Sequence, residues 1–248
     1  MIDLMELNAK AIELRRRLGE DEYSSVDIFA LANHIPDLTL VLYPMGEHIS
    51  GVCIRNEGAN LIAINSSMSY GRQRYSLAHE FYHLLYDIND GVSISSKSFD
   101  THSENEKKAD WFASYFLAPY GALRSEIQKN ESQALSIRDI ISLEQRFGIS
   151  HQAMLRRLLE ENYIDQCVAN SMSESVIYYA KQYGYNESLY LPTNEQNQKR
   201  TYGKYIVQAE ELREKNVISI GKYEELLLEA FRYDIVFGDD NFGGNIND

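Results

Sequence analysis

The 248-residue sequence predicts an α+β fold, with a small antiparallel or mixed sheet and a helical C-terminal extension. Three observations carry that expectation. Helical periodicity dominates both ends of the chain, and short β-type runs cluster between residues 38 and 65. Immediately after them, a long apolar helical pattern carries two histidines and a glutamate.

The elements follow in order. Residues 3–18 are amphipathic, with Ile12, Leu14 and Leu18 among charges, and Gly19 ends the run. A second helix is expected from Ser24 or Ser25, carrying Val26, Ile28, Phe29 and Leu31, and Pro36 closes it. The period then changes. LTLVLYP (38–44), HISGVCIR (48–55) and NLIAIN (60–65) read as a sheet of about three strands, punctuated by Gly46, Gly51, Asn56 and Gly58. From Ser69 the helical period returns, and SYGRQRYSLAHEFYHLLYD places Leu77, Ala78, Phe81, Leu84 and Leu85 on a wide apolar face. A polar loop over 87–103 precedes the helix ENEKKADWFASYFLA, which Pro119 stops. Further helical patterns are YGALRSEIQKN, SIRDIISLEQRF and SHQAMLRRLLEENY, with Ser136 and Ser150 as N-caps. Beyond residue 165 the composition shifts, since nine of the 18 tyrosines lie there, and the tail DDNFGGNIND reads as a frayed end. The expected organisation is N-terminal helices over 1–36, a core over 37–130, a helix-turn-helix-like segment over 131–164, and a tyrosine-rich helical region over 165–248.

Composition excludes several classes. Hydrophobic residues make up 44% and charged residues 25%, which is ordinary for a globular chain. No apolar run is long enough to span a membrane, and the N-terminal charges follow the apolar residues rather than precede them, so no secretory signal is expected. Two cysteines are too few for a disulfide framework, which suits the cytoplasm, and Cys53 within SGVCI reads as a buried structural thiol. With 24 basic and 37 acidic residues the net charge is −13, which disfavours direct nucleic-acid binding. The turn between the helices of 131–164 resembles a helix-turn-helix, with Arg156 and Arg157 on its second helix. The acids Glu144, Glu160 and Glu161 favour a packing unit over a DNA reader.

The chemistry concentrates in His79-Glu80-Phe81-Tyr82-His83, an HExxH motif. Residues four apart share a helix face, so both imidazoles can reach one metal ion, and Glu80 can face a water on it and accept its proton. Zinc suits such nitrogen donors. A third protein ligand is needed. The positions three and six residues after His83 are Tyr86 and Asn89, so the metzincin extension is absent. A carboxylate from the following helix is the other solution. Glu106 and Asp110 share a face, one as ligand and the other as hydrogen-bond partner of a ligating imidazole, while Glu104, Asp100 and His102 are rivals. Groups to assist an oxyanion or a substrate are His102, His151, Tyr70 and Tyr120, among which spacing does not choose. HISGVCIR could hold an extended peptide if it is an edge strand, with Gly51 permitting close approach. Arg72 and Arg74 read as partners for neighbouring acids.

RQRYSLAHEFYHLL followed by ENEKKADWFASYFLAP resembles the ImmA/IrrE family of zinc metallo-endopeptidases, through the arginine-rich approach to HExxH and then Glu106, Ala109, Asp110, Phe112, Ala113 and Pro119. The likeness extends over about residues 40–164, including RFGISHQAMLRRL. Tyr82 departs from it, since many relatives have glycine before the second histidine. The resemblance implies a zincin-like, gluzincin-type domain in which His79, His83 and Glu106 bind Zn2+, Asp110 supports them, and Glu80 is the base. It further implies cleavage of a protein substrate, such as a helix-turn-helix repressor, in a mobile-element, stress-response or toxin–antitoxin setting. The alternative is a metal-stabilised regulatory binding protein that acts without proteolysis.

Overall fold

The computed structural model describes residues 2–56, 58–87, 91–96, 103–129 and 134–238. A five-stranded mixed sheet carries helices around it. The strands are β1 (Leu38–Tyr43), β2 (Ile49–Ile54), β3 (Asn60–Asn65), β4 (Val92–Ser96) and β5 (Arg200–Gly203), in the order β4-β2-β3-β1-β5. Only the β1–β3 pair is parallel.

The three expected strands are β1, β2 and β3, and the sheet gains one more on each side. β4 lies in the stretch that reads as a polar loop. Its alternation is inverted, since Val92 and Ile94 face outward and are each 63% exposed while Ser95 is buried. An apolar-out, serine-in strand has no recognisable core face in sequence. β5 lies in the region expected to be helical, and at four residues it is too short to show a period. As a consequence β2, which carries HISGVCIR, is not an edge strand; β4 covers that side. The second helix is also shorter than expected, running only from Ile28 to Ala32, because Asp27 rather than a serine caps it by accepting from the Ala30 N–H.

Helix α3 (Tyr70–Tyr86) lies on the sheet against β2 and β3 and packs on its other flank against α4 (Glu104–Leu117). Phe81, Phe112 and Phe116 are fully buried there, with Phe81 edge-on to Phe116 at 5.9 Å. Each such side chain contributes about 1.5–3 kcal/mol by leaving water. Helix α1 (Leu4–Arg17) crosses α4 and is locked by Arg15, which is wholly buried. Its guanidinium donates to the carbonyls of Asp21, Ser24 and Phe116. Helices α6 (Ile137–Phe147) and α7 (His151–Glu160) follow the short α5 (Tyr120–Gln128). Among the described residues, 165–238 add five α-helices and two short 3-10 turns besides β5, and no helix is long and apolar enough to cross a membrane.

The chain reaches α10 (Lys204–Glu214) through Gly203, whose φ of 81° and ψ of −140° suit only glycine, and a Cβ there would run into the carbonyl oxygen of Leu38 on β1. Gly203→Ala is therefore expected to destabilise the fold by about 2 kcal/mol, lowering the melting temperature by about 4–8 °C. An unchanged thermal melt would show that β5 does not need this conformation.

Candidate metal centre

Two helices assemble the site. His79, Glu80 and His83 sit on the C-terminal half of α3, and Glu106 and Asp110 sit on the first two turns of α4. Ser103 caps α4 by accepting from the Glu106 N–H, which fixes where that first turn begins. His79 Nε2 and His83 Nε2 lie 3.1 Å apart, and each lies within 3.2 Å of a Glu106 oxygen. These three residues present ligand atoms that all lie within 4.8 Å of one another.

The outer nitrogens are also held. His79 Nδ1 donates to Asp110 Oδ1 at 3.0 Å, and His83 Nδ1 donates to Asp87 Oδ2 at 3.1 Å. Ionised carboxylates only accept, so both Nδ1 atoms carry the proton and both Nε2 lone pairs point at the shared space. Asp110 is steadied in turn by Arg156 Nη1 at 3.3 Å, and Asp87 by Asn105 Nδ2. Two imidazole lone pairs and a carboxylate directed at one small volume repel unless a cation or protons lie between them. That donor set, two nitrogens and a carboxylate in a largely buried setting, fits a divalent cation such as zinc.

Without a cation, protons fill the role. Burial alone would lower the His79 pKa, but the hydrogen bonds to Asp110 and Glu106 outweigh it and raise it to about 10. Burial would raise the Glu106 carboxyl, but the two histidines hold it well below the usual carboxylate range. Asp110 is lowered in the same way by His79, Arg156 and Arg72 against the effect of burial.

Glu80 differs from all of these. It is completely buried, and neither carboxylate oxygen has a hydrogen-bond partner. Burial raises its pKa, while the nearby His79, the Ser95 hydroxyl and His83 draw it back. Ser95 Oγ on β4 is near enough to exert that pull without a well-formed hydrogen bond. The carboxylate lies over β2, where a Cβ on Gly51 would stand 2.5 Å from Glu80 Oε1. Gly51 thus admits a side chain of this chain.

Other residues marked by the sequence lie elsewhere. His151 is braced between Glu144 Oε1 at 2.6 Å and the Met172 carbonyl at 2.7 Å, with both ring nitrogens engaged. Tyr70 stacks on Phe29 at 5.6 Å. Tyr120 begins α5, its backbone N–H bonded to Asn8. None of the three touches the histidine–glutamate cluster. His102 and Asp100 lie outside the described residues. Glu104 pairs with Lys108 on the surface at 3.0 Å. Arg74 pairs with no acid among the described residues; it donates to the carbonyls of Gly148 and Val26. Arg156 and Arg157 turn inward. Arg157 is 2% exposed and binds Ser114 and Glu161, and the partly exposed Arg156 binds Asp110 and Glu160. The sequence reading missed Asp87, although its spacing of four from His83 follows the helix rule that paired the histidines. No local signal marks Arg156, 46 residues from its partner.

Residues 38–159 match the family described as the IrrE N-terminal-like domain, Peptidase_M78. This part of the chain is an IrrE N-terminal-like domain. The match takes in both helices of the site and extends through α7. None of the curated proteins matches the chain. Among solved structures, a Mycobacterium tuberculosis transcriptional regulator aligns over 62% of this chain and 46% of its own length, with 13% identity and a TM-score of 0.41. The chain therefore spans less than half of that regulator.

The titrations of the IrrE N-terminal-like domain predict how its metal-free form responds to pH. Glu106 and Asp110 have lowered pKa values, so their stabilisation is present above about pH 4–5 and is lost as pH falls through the lowered values. His79 has a raised pKa, so its stabilisation is complete below 6.5 and is lost as pH climbs through about 10. In the presence of a chelator, the melting temperature is expected to decline across that upper window. Added zinc should reverse the decline, because a cation needs the His79 Nε2 lone pair that rising pH frees. Identical profiles with chelator and with zinc would count against a shared cation site.

Proposed function

We propose that this chain is a zinc-dependent endopeptidase with a zincin-like, gluzincin-type core. The observation that carries this reading is Glu80: a wholly buried carboxylate with no hydrogen-bond partner, beside three converging metal-capable side chains, in a domain of a peptidase family. A purely structural metal site has no use for such a group, whose burial costs several kcal/mol.

In this reading His79, His83 and Glu106 hold the ion, and Asp110 and Asp87 fix the two imidazoles by their Nδ1 atoms. When bound, the ion supplies Lewis acidity for a substrate carbonyl and for a water molecule. Glu80 accepts the proton of the attacking water at a carboxylate oxygen and passes it to the departing amine nitrogen. Its lack of competing hydrogen bonds leaves that oxygen available, and Gly51 and Ser95 keep it from solvent on the sheet side. The substrate lies extended along β4, the edge strand nearest the site, and pairs with its outward backbone groups. A folded regulatory protein with an exposed linker, such as a helix-turn-helix repressor, is a substrate of the fitting kind. Helices α6 and α7 then act as support for the metal centre through Arg156.

Three variants test this. Glu80→Gln should keep about one zinc per chain and lose cleavage by about a thousandfold or more, whereas Glu106→Ala should lose the metal and Glu104→Ala should keep it. Metal analysis of untagged protein and cleavage of a peptide library read both. A wild-type protein that takes up no zinc, or Glu80→Gln retaining full cleavage, would sink the proposal.

A further inference from the structure

β4 is the edge of the sheet beside the metal centre, and among the described residues no strand pairs with its outer side. The direction of its backbone groups follows from two bonds. The Gly91 carbonyl accepts from the Arg55 N–H and the Ser95 carbonyl from the Ser50 hydroxyl, so both face β2. Backbone directions alternate along a strand, so Val92 and Ile94 turn their N–H and carbonyl groups outward. The same two residues carry exposed apolar side chains, each 63% exposed.

The faces are fixed as well. Ser95 pairs with Gly51, which lies against the Glu80 carboxylate, so Ser95 is level with Glu80 and on the α3 face of the sheet. Val92 and Ile94 stand on the opposite face, where Ile94 is the neighbour of Val52 and Val92 of Ile54. Both neighbours are half-buried, so with β4 they form an apolar strip that runs out to the sheet edge. Native edge strands are commonly guarded by charge or proline. Val92–Ser96 has neither. The net charge of −13 sets copies of the chain against one another, which favours a short peptide over a second copy as the added strand.

We propose that Val92 and Ile94 determine specificity, selecting substrates with apolar β-branched or aromatic residues at two positions two apart. A peptide strand bonded to the outward groups of Val92 and Ile94 places one residue directly opposite each, with its side chain on the same face. The residue between these two points to the α3 face. So does the residue opposite Ser95, which is level with Glu80. The apolar pair therefore lies on one side of the cut bond, about one and three positions from the residue level with Glu80. This selection rests on the peptidase reading above; the pairing of a peptide with β4 does not.

The first arm of the test uses the full chain carrying Glu80→Gln, labelled with 15N, so that binding is read without turnover. The Val92 and Ile94 amides should exchange freely with deuterium. A short Thr-Val-Thr-Ile-Thr peptide should slow both by about tenfold, and Thr-Asp-Thr-Asp-Thr should not. Equal effects of the two peptides would overturn the proposal. So would slow exchange at both amides before peptide is added, strengthening with protein concentration, which would assign the edge to a second copy. The second arm cleaves a peptide library with the Glu80-intact chain and zinc. Apolar residues should be enriched at two positions two apart on one side of the cut, each by about fivefold over alanine. Ile94→Lys and Val92→Lys alter exposed side chains, and each should turn one of these preferences to Asp or Glu. Cleavage with no such preference, or preferences unchanged in both variants, overturns the proposal and leaves the peptidase standing. Selective protection of the two amides with no cleavage keeps β4 as a peptide-binding edge and overturns the peptidase together with the selection.

Discussion

The burial of Glu80 is the constraint around which the rest of the structure is arranged. A carboxylate taken wholly out of water without a hydrogen bond costs several kcal/mol, and the neighbouring elements are shaped by its presence. Gly51 has no side chain because the carboxylate occupies its face of β2. β4 turns Ser95 rather than an apolar residue toward it, which inverts the strand's alternation and leaves Val92 and Ile94 outward. The imidazoles and Glu106 lie on the other side. The charge of the two histidines, with the Ser95 hydroxyl, offsets part of the cost of burying Glu80.

How much of this was legible in the sequence depended on the range of each interaction. The pairing of His79 with His83 and of Glu106 with Asp110 could be read because helical spacing fixes both. β1, β2 and β3 were legible for the same reason, each having enough residues to show a period. β4 and β5 were not. One carries its apolar residues outward, and the other is four residues long and pairs with a strand some 160 positions earlier. The role of Gly51 was half legible: the close approach was expected, but the group that approaches is Glu80 and not a substrate backbone. β2 is not an edge strand because β4, which shows no core-facing apolar period, pairs with its outer side.

The arginines show a second limit. In sequence, Arg15 sits in a charged run at the end of α1, Arg74 beside the motif helix, and Arg156 and Arg157 on the second helix of a turn motif. All invite surface roles. In the fold Arg15 and Arg74 are buried or nearly so and donate to main-chain carbonyls at the ends of elements, and Arg157 lies 4.1 Å from the centroid of the Tyr115 ring. A guanidinium has five donors and a long apolar stem, so it can satisfy several carbonyl groups that no water reaches. That use leaves no trace in local patterning, since the acceptors are backbone atoms of any residue type. The burial of Arg157, and the bond from Arg156 to Asp110, therefore say more about α7 than the spacing of these arginines does.

The two histidines of the centre are supported unequally, and this links the parts of the fold. His83 is held by Asp87, four residues on, with Asn105 behind it. His79 is held by Asp110 on α4, and Asp110 by Arg156 on α7. A shift of α7 relative to α4 would loosen Asp110 and with it the orientation of His79, while leaving His83 undisturbed. The placement of α7 thus bears on one of the two imidazoles and not on the other.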